Sequence, residues 1–135
     1  MVLADPYREY RRTQIMTSPP ERLVDMMYDA ILRAIDRARL SANQEAWPSF
    51  RENLFKAQSI VDELLMSIDL ENGGEVSQNL QSLYLWVRGS LVQASLKCDM
   101  DQVESAAKVI NQLREAWAEA CLPQAREKDP VAQIE

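Results

Sequence analysis

Apolar residues recur at intervals of three and four along most of the chain, the mark of helices that each bury one face. The first block opens at Ser18-Pro19-Pro20-Glu21, a capping box with proline where missing N–H groups do no harm. Behind it Leu23, Met27, Ala30, Ile31, Ala34 and Ala38 share one face, widened by Val24, Tyr28 and Ile35, and the helix is expected to end near Leu40–Asn43. A second block starts around Pro48-Ser49, with Ser49 and Glu52 as another capping box. It turns Phe50, Leu54, Ala57, Val61, Leu64 and Ile68 inward. Asn72-Gly73-Gly74 is the strongest turn signal in the chain. After it, Val76, Leu80, Leu83, Val87, Leu91 and Ala94 make the inward stripe of a third helix. Asp99-Met100-Asp101-Gln102 opens a fourth, with Val103, Ala106, Ile110, Leu113, Trp117 and Ala120 inward and Pro123 as its stop.

Four amphipathic helices of roughly 20 residues, joined by short connections, predict an all-α fold, an antiparallel up-down four-helix bundle. Helices of this length are marginal alone in water, so the stability comes from burying the four stripes together. The bundle is expected over 17–122, preceded by an N-terminal arm or short capping helix at 1–16. A polar, mobile C-terminal tail at 123–135 follows.

Composition narrows the function more than the fold. The net charge of −6 argues against nucleic acid, because phosphate neutralisation needs clustered Lys and Arg; Arg8, Arg11 and Arg12 form the one basic spot. No apolar run is long enough for membrane insertion. Cys98 and Cys121 make no disulfide framework, no signal peptide precedes them, and both fit a reducing cytoplasmic setting. The chain has 0 His, which removes the commonest general acid–base and the His-assisted nucleophiles. It also excludes the Glu-x-x-His di-iron site that some helical bundles build. Gly73-Gly74 reads as a turn rather than a phosphate cradle, and Asp25/Asp29 and Asp62/Glu63 read as solvated surface charge. The sequence therefore predicts no enzyme, no metal and no cofactor.

The third helix carries more apolar surface than a bundle needs. Leu85, Gly89, Val92 and Leu96 lie about 140° to 200° around the helix from Val87, on the side that should face water. Gly89 lowers the middle of this second stripe and Trp86 flanks it, which resembles a groove floor for another helix or an extended peptide. The N-terminal arm or a second copy of the chain are the other covers this stripe allows. The arm is itself unusual for a tail, since Tyr7 and Tyr10 are spaced to share one side of a turn.

Several of these residues occur together in a known family. Tyr7-Arg8-Glu9-Tyr10 through Thr17-Ser18-Pro19, followed by Leu23-Val24-Asp25-Met26-Met27-Tyr28-Asp29, resembles the opening of the flagellin export chaperones, the FliS family. Gly73-Gly74-Glu75-Val76, Asn79-Leu80, Leu83-Tyr84, then Leu91, Gln93-Ala94 and Leu96 are similar to its central signature, and Glu115-Ala116-Trp117 to its close. The resemblance implies a helical bundle that binds the disordered C-terminal region of flagellin in the cytosol, prevents premature polymerisation and assists export. It also implies an arm near the binding surface, and leaves room for contact with the flagellar export gate. Leu85, Gly89 and Ser95 depart from the family pattern, which more often has Asp, Arg and Asn there.

The expected function is a cytosolic flagellar type III export chaperone. The alternative is a self-associating helical module, a homodimer among its forms. Expected partner-binding residues are Tyr7, Tyr10 and Ile15 in the arm and Asn79, Leu83, Tyr84 and Ser95 on the third helix. Leu85, Gly89, Val92 and Leu96 join them on the physical ground of the outward stripe.

Overall fold

The computed structural model describes residues 20–121, which form helices α1 (Pro20–Asn43), α2 (Trp47–Ser67), α3 (Gly74–Lys97) and α4 (Met100–Ala120). The arm, Ser18 of the first capping box, Pro123 and the tail lie outside the described residues. Cross-links fix the antiparallel order. Arg51 on α2 reaches the Ser95 carbonyl and the Cys98 sulfur, while Asp62, further along α2, meets Arg88, earlier on α3. On the other side Arg39 of α1 meets Glu104 of α4, and Trp117 near the end of α4 donates to the Glu21 carbonyl at the start of α1. Each helix packs on its two neighbours in a ring, α1 on α2 and α4, and α3 on α2 and α4.

Local chemistry explains where the helices start and stop. The Asp99 carboxylate accepts from the backbone N–H groups of Asp101 and Gln102, the cap expected for α4. Before α3, Gly73 and Gly74 serve different needs. A Cβ at Gly73 would overlap the Ser77 side chain and come within 2.7 Å of the Asp69 carbonyl, whereas Gly74 takes φ +60° in open space. Asp69 steadies this turn by accepting from the side chain and backbone of Asn72, which hold its carboxyl below the usual range. The second helix corrects the sequence expectation. It begins at Trp47, with Ala46 as its cap and Pro48 in its first turn, so Ser49 and Glu52 form no capping box. Ser49 instead donates to Ser41, whose hydroxyl goes to the Arg37 carbonyl, tying α2 to the end of α1.

The core matches the expected stripes over the middle and one end of the bundle. Phe50, Leu54, Ala57, Val61 and Leu64 are buried on α2, with Val87, Leu91 and Ala94 on α3 and Val103, Ala106 and Ile110 on α4. On α1 the deepest residues are Tyr28, Ile31, Ile35 and Ala38, while Leu23, Met27 and Ala30 are only half-buried. Ala120, expected inward on α4, is exposed. Two residues of the α3 stripe also leave the core: Val76 is 69% exposed and Leu83 is exposed as well. The register set by Arg88 and Asp62 gives the reason. It puts Leu83 level with the last turn of α2 and Val76 beyond the last residue of that helix. Among the described residues α2 therefore reaches Leu83 only with its last turn and does not reach Val76.

Candidate functional site

The bundle is closed at one end and open at the other. Where α1 runs into α2 and α3 into α4, Ala38, Phe50, Ala94 and Val103 are sealed in. At the opposite end Val24, Met27, Ile68, Leu80, Leu113 and Trp117 are only partly buried, and Val76 and Leu83 are exposed. The first and last described residues, Pro20 and Cys121, both stand at this end.

Charged and polar pairs hold the open end in shape without closing it. The Arg114 guanidinium forks between Asp25 at 3.0 Å and Asp29 at 3.2 Å, and Asp29 also pairs with Arg33. Partial burial works against the Arg114 charge, but the hydrogen bonds and charges of Asp25 and Asp29 outweigh it and raise its pKa. Asp25 and Asp29, read from sequence as solvated charge, are therefore half-buried bridge partners. Trp117 adds a 2.7 Å bond from its ring N–H to the Glu21 carbonyl.

The expected site residues separate into three groups. Asn79 and Leu83 are exposed on α3, near the open end. Leu85, Gly89 and Leu96 are exposed on its outer side, Leu96 by 70%, with Val92 half-buried beside them. Ser95 is half-buried, and its carbonyl accepts from Arg51 at 3.2 Å. Tyr84 corrects the expectation: it is 3% exposed, and its hydroxyl meets that of Tyr28 at 2.6 Å inside the core. Burial pushes both phenols above the ordinary tyrosine range. Tyr7, Tyr10 and Ile15 lie outside the described residues.

Sequence reasoning missed two exposed apolar residues on α2, Phe55 (66%) and Met66 (82%). The signal was present, since at 100° per residue they fall within about 20° of each other, opposite the core stripe. The cross-links place Phe55 at the level of Val92, so α2 extends the apolar surface sideways from the outer face of α3. Among the described residues there is no group of His, Cys, Asp and Glu that could hold a metal ion. No helix among them is long and apolar enough to cross a membrane.

Fold and surface together define a small helical bundle with open apolar faces. The family model for flagellar protein FliS matches residues 3–125, and the chain belongs to that family. It is 35% identical to the flagellar secretion chaperone FliS of Salmonella typhimurium over 76% of this chain and 77% of that protein. It is 30% identical to the protein of the same name from Bacillus subtilis, covering 89% of each. The fold also matches a bacterial flagellar chaperone crystal structure with a TM-score of 0.70 and 18% identity, over 84% of this chain and 93% of that one. The family is one of secretion chaperones, not enzymes.

Proposed function

We propose that the chain is a cytosolic export chaperone for flagellin, holding its C-terminal region unfolded or partly helical until delivery to the flagellar export apparatus. The observation that carries this reading is the open end of the bundle. Val76 and Leu83 are exposed beside half-buried Leu80, Leu113 and Trp117, an apolar surface unusual for a chain that stays alone. Asn79 stands next to it with amide groups suited to the backbone of a bound segment.

The expected chemistry of the cargo fits that surface. A segment that is disordered before assembly can spread over several shallow apolar sites, and the free energy needed to order it keeps the complex reversible. Covering that segment prevents it from polymerising early. The arm residues Tyr7, Tyr10 and Ile15 precede α1 in the sequence and belong to the same proposed surface, whereas Ser95, toward the closed end of α3, is reached by a cargo segment that runs along the helix. Tyr84, being buried, supports the helix that carries the surface rather than touching cargo. The export gate is the second partner in this reading.

Co-expression with flagellin tests it. A soluble complex of one chaperone with one flagellin, lost when the flagellin C-terminal region is deleted, is the expected outcome. Flagellin that polymerises equally well with or without the chaperone contradicts it.

A further inference from the structure

The turn between α2 and α3 carries a reactive pair that the bundle does not use. Asn72 is followed by Gly73, and an asparagine before a glycine can close on itself. The backbone nitrogen of the glycine attacks the side-chain carbonyl carbon of the asparagine. A new C–N bond completes a five-membered succinimide, and the side-chain amide leaves as ammonia. Water then opens the ring at one of its two carbonyls. The product is aspartate or, with the main chain rerouted through the side chain, isoaspartate. Glycine favours the attack because it has no side chain to crowd the ring and its backbone reaches the angles required.

Both reacting groups are engaged in the folded chain, and by the same residue. The Gly73 N–H donates to the Asp69 carbonyl at 3.0 Å, which shields the proton that the nitrogen must give up. The Asn72 side-chain amide donates to one oxygen of the Asp69 carboxylate at 2.9 Å, and the Asn72 backbone N–H to the other at 3.2 Å. Asp69 thus holds the nucleophile on its carbonyl and the electrophile on its carboxylate. These bonds keep its carboxyl below the usual range, so it stays ionised as an acceptor. Asn72 and Gly73 are exposed among the described residues, which leaves hydrogen bonding rather than burial as their protection.

We propose that Asn72–Gly73 is a latent deamidation site, kept shut by Asp69 while the turn is formed and opened whenever the turn loosens. The fit of the turn maintains the pair. A Cβ at Gly73 would come within 2.7 Å of the Asp69 carbonyl, and Asn72 supplies the amide that the Asp69 carboxylate accepts from. The residues that build the turn are therefore the residues that react. The product undoes it. The aspartate form sets a second carboxylate against that of Asp69 where an amide had donated. The isoaspartate form adds a methylene to the main chain directly before Gly73, whose carbonyl accepts from the Ser77 N–H at 3.4 Å in the first turn of α3. Either form loosens the start of the helix that carries Val76 and Leu80. The change is one-way, so a chain whose turn has opened keeps the mark.

Incubation of the full chain at slightly alkaline pH tests the proposal, with position 72 followed by peptide mass spectrometry and isoaspartate counted by enzymatic methylation. Folded wild type is expected to convert more slowly than the same chain unfolded in guanidinium chloride, by about tenfold or more. Asp69→Ala is expected to convert about tenfold faster than wild type, with helical circular dichroism unchanged. Asp69→Asn has the same shape and keeps an oxygen for the backbone N–H groups but no anion for the Asn72 amide, and is expected to convert faster as well. Tyr84→Phe weakens the core without touching the turn, and is expected to convert at the wild-type rate. An unfolded chain that keeps Asn72 intact overturns the proposal, as does a folded wild type that converts as fast as the unfolded chain. Asp69 variants no faster than wild type would leave the clamp without effect and overturn it too. Equal acceleration by Tyr84→Phe would assign the protection to global stability instead. No cargo is present, so failure here leaves the chaperone reading standing.

Discussion

The hydroxyls of Tyr28 on α1 and Tyr84 on α3 meet at 2.6 Å across the diagonal of the bundle. These two helices are not neighbours in the ring, so the pair is a brace between elements that otherwise pack through α2 and α4. The rings are tilted at 57° with centroids 6.4 Å apart, which leaves the hydroxyl contact as the main polar link.

Removing one partner leaves the other hydroxyl buried and unpaired. Tyr28→Phe and Tyr84→Phe are each expected to lower stability by about 1–3 kcal/mol, while the double variant loses little more than either single one. Urea denaturation of the four proteins checks this. Strict additivity would mean that the two hydroxyls do not depend on each other.

The same pair predicts alkaline sensitivity. Burial raises both phenol pKa values, and for Tyr28 the hydrogen bond with Tyr84 adds to the rise. Below about pH 10, the ordinary tyrosine value, folded and unfolded chains are both protonated and the contribution is fully present. Above it the unfolded chain releases protons that the folded chain keeps, so stability falls as pH rises. Melting temperatures from pH 8 to 11 are expected to drop more steeply in the wild type than in the double Phe variant.

The paired glycines before α3 differ in what they tolerate. Gly73→Ala meets the Asp69 carbonyl and Ser77, and is expected to cost about 1–3 kcal/mol by displacing the turn. Gly74→Ala has room but must hold φ +60°, and is expected to cost about 1 kcal/mol. Asn at position 74, which tolerates that conformation, is expected to recover part of the loss, readable in thermal melts.

Arg114 holds α4 to α1 through two carboxylates. Its side chain is more than a third exposed, so solvent weakens the bridge, and Arg114→Ala is expected to cost only about 1 kcal/mol. Arg114→Lys should recover little, because one ammonium does not reproduce the fork. Hydrogen exchange should quicken in the first turns of α1 in both variants and remain unchanged near Phe50.

Period and capping made much of this architecture legible from sequence. Asp99 was readable as a cap because its partners are two and three residues away, and the α2 stripe because Phe50 through Leu64 repeat regularly. Val76 and Leu83 depart from the inward stripe for a physical reason: periodicity gives the face a residue occupies, not that α2 reaches Leu83 only with its last turn and stops short of Val76. Tyr84 was misassigned because its partner, Tyr28, is 56 positions away and no local pattern encodes the pairing. Phe55 and Met66 escaped notice once the α2 stripe had accounted for the inward face. The surface near Leu83 could thus be approached from sequence, whereas the openness of that end required the lengths of four helices to be compared in space.

The chaperone reading is tested most directly by calorimetric titration of the full chain with the flagellin C-terminal segment. Saturable binding is expected, with a negative heat-capacity change from apolar burial, and weakened by about tenfold in Leu83→Asp. Absence of saturable binding at every temperature, with the chaperone folded, would contradict the account.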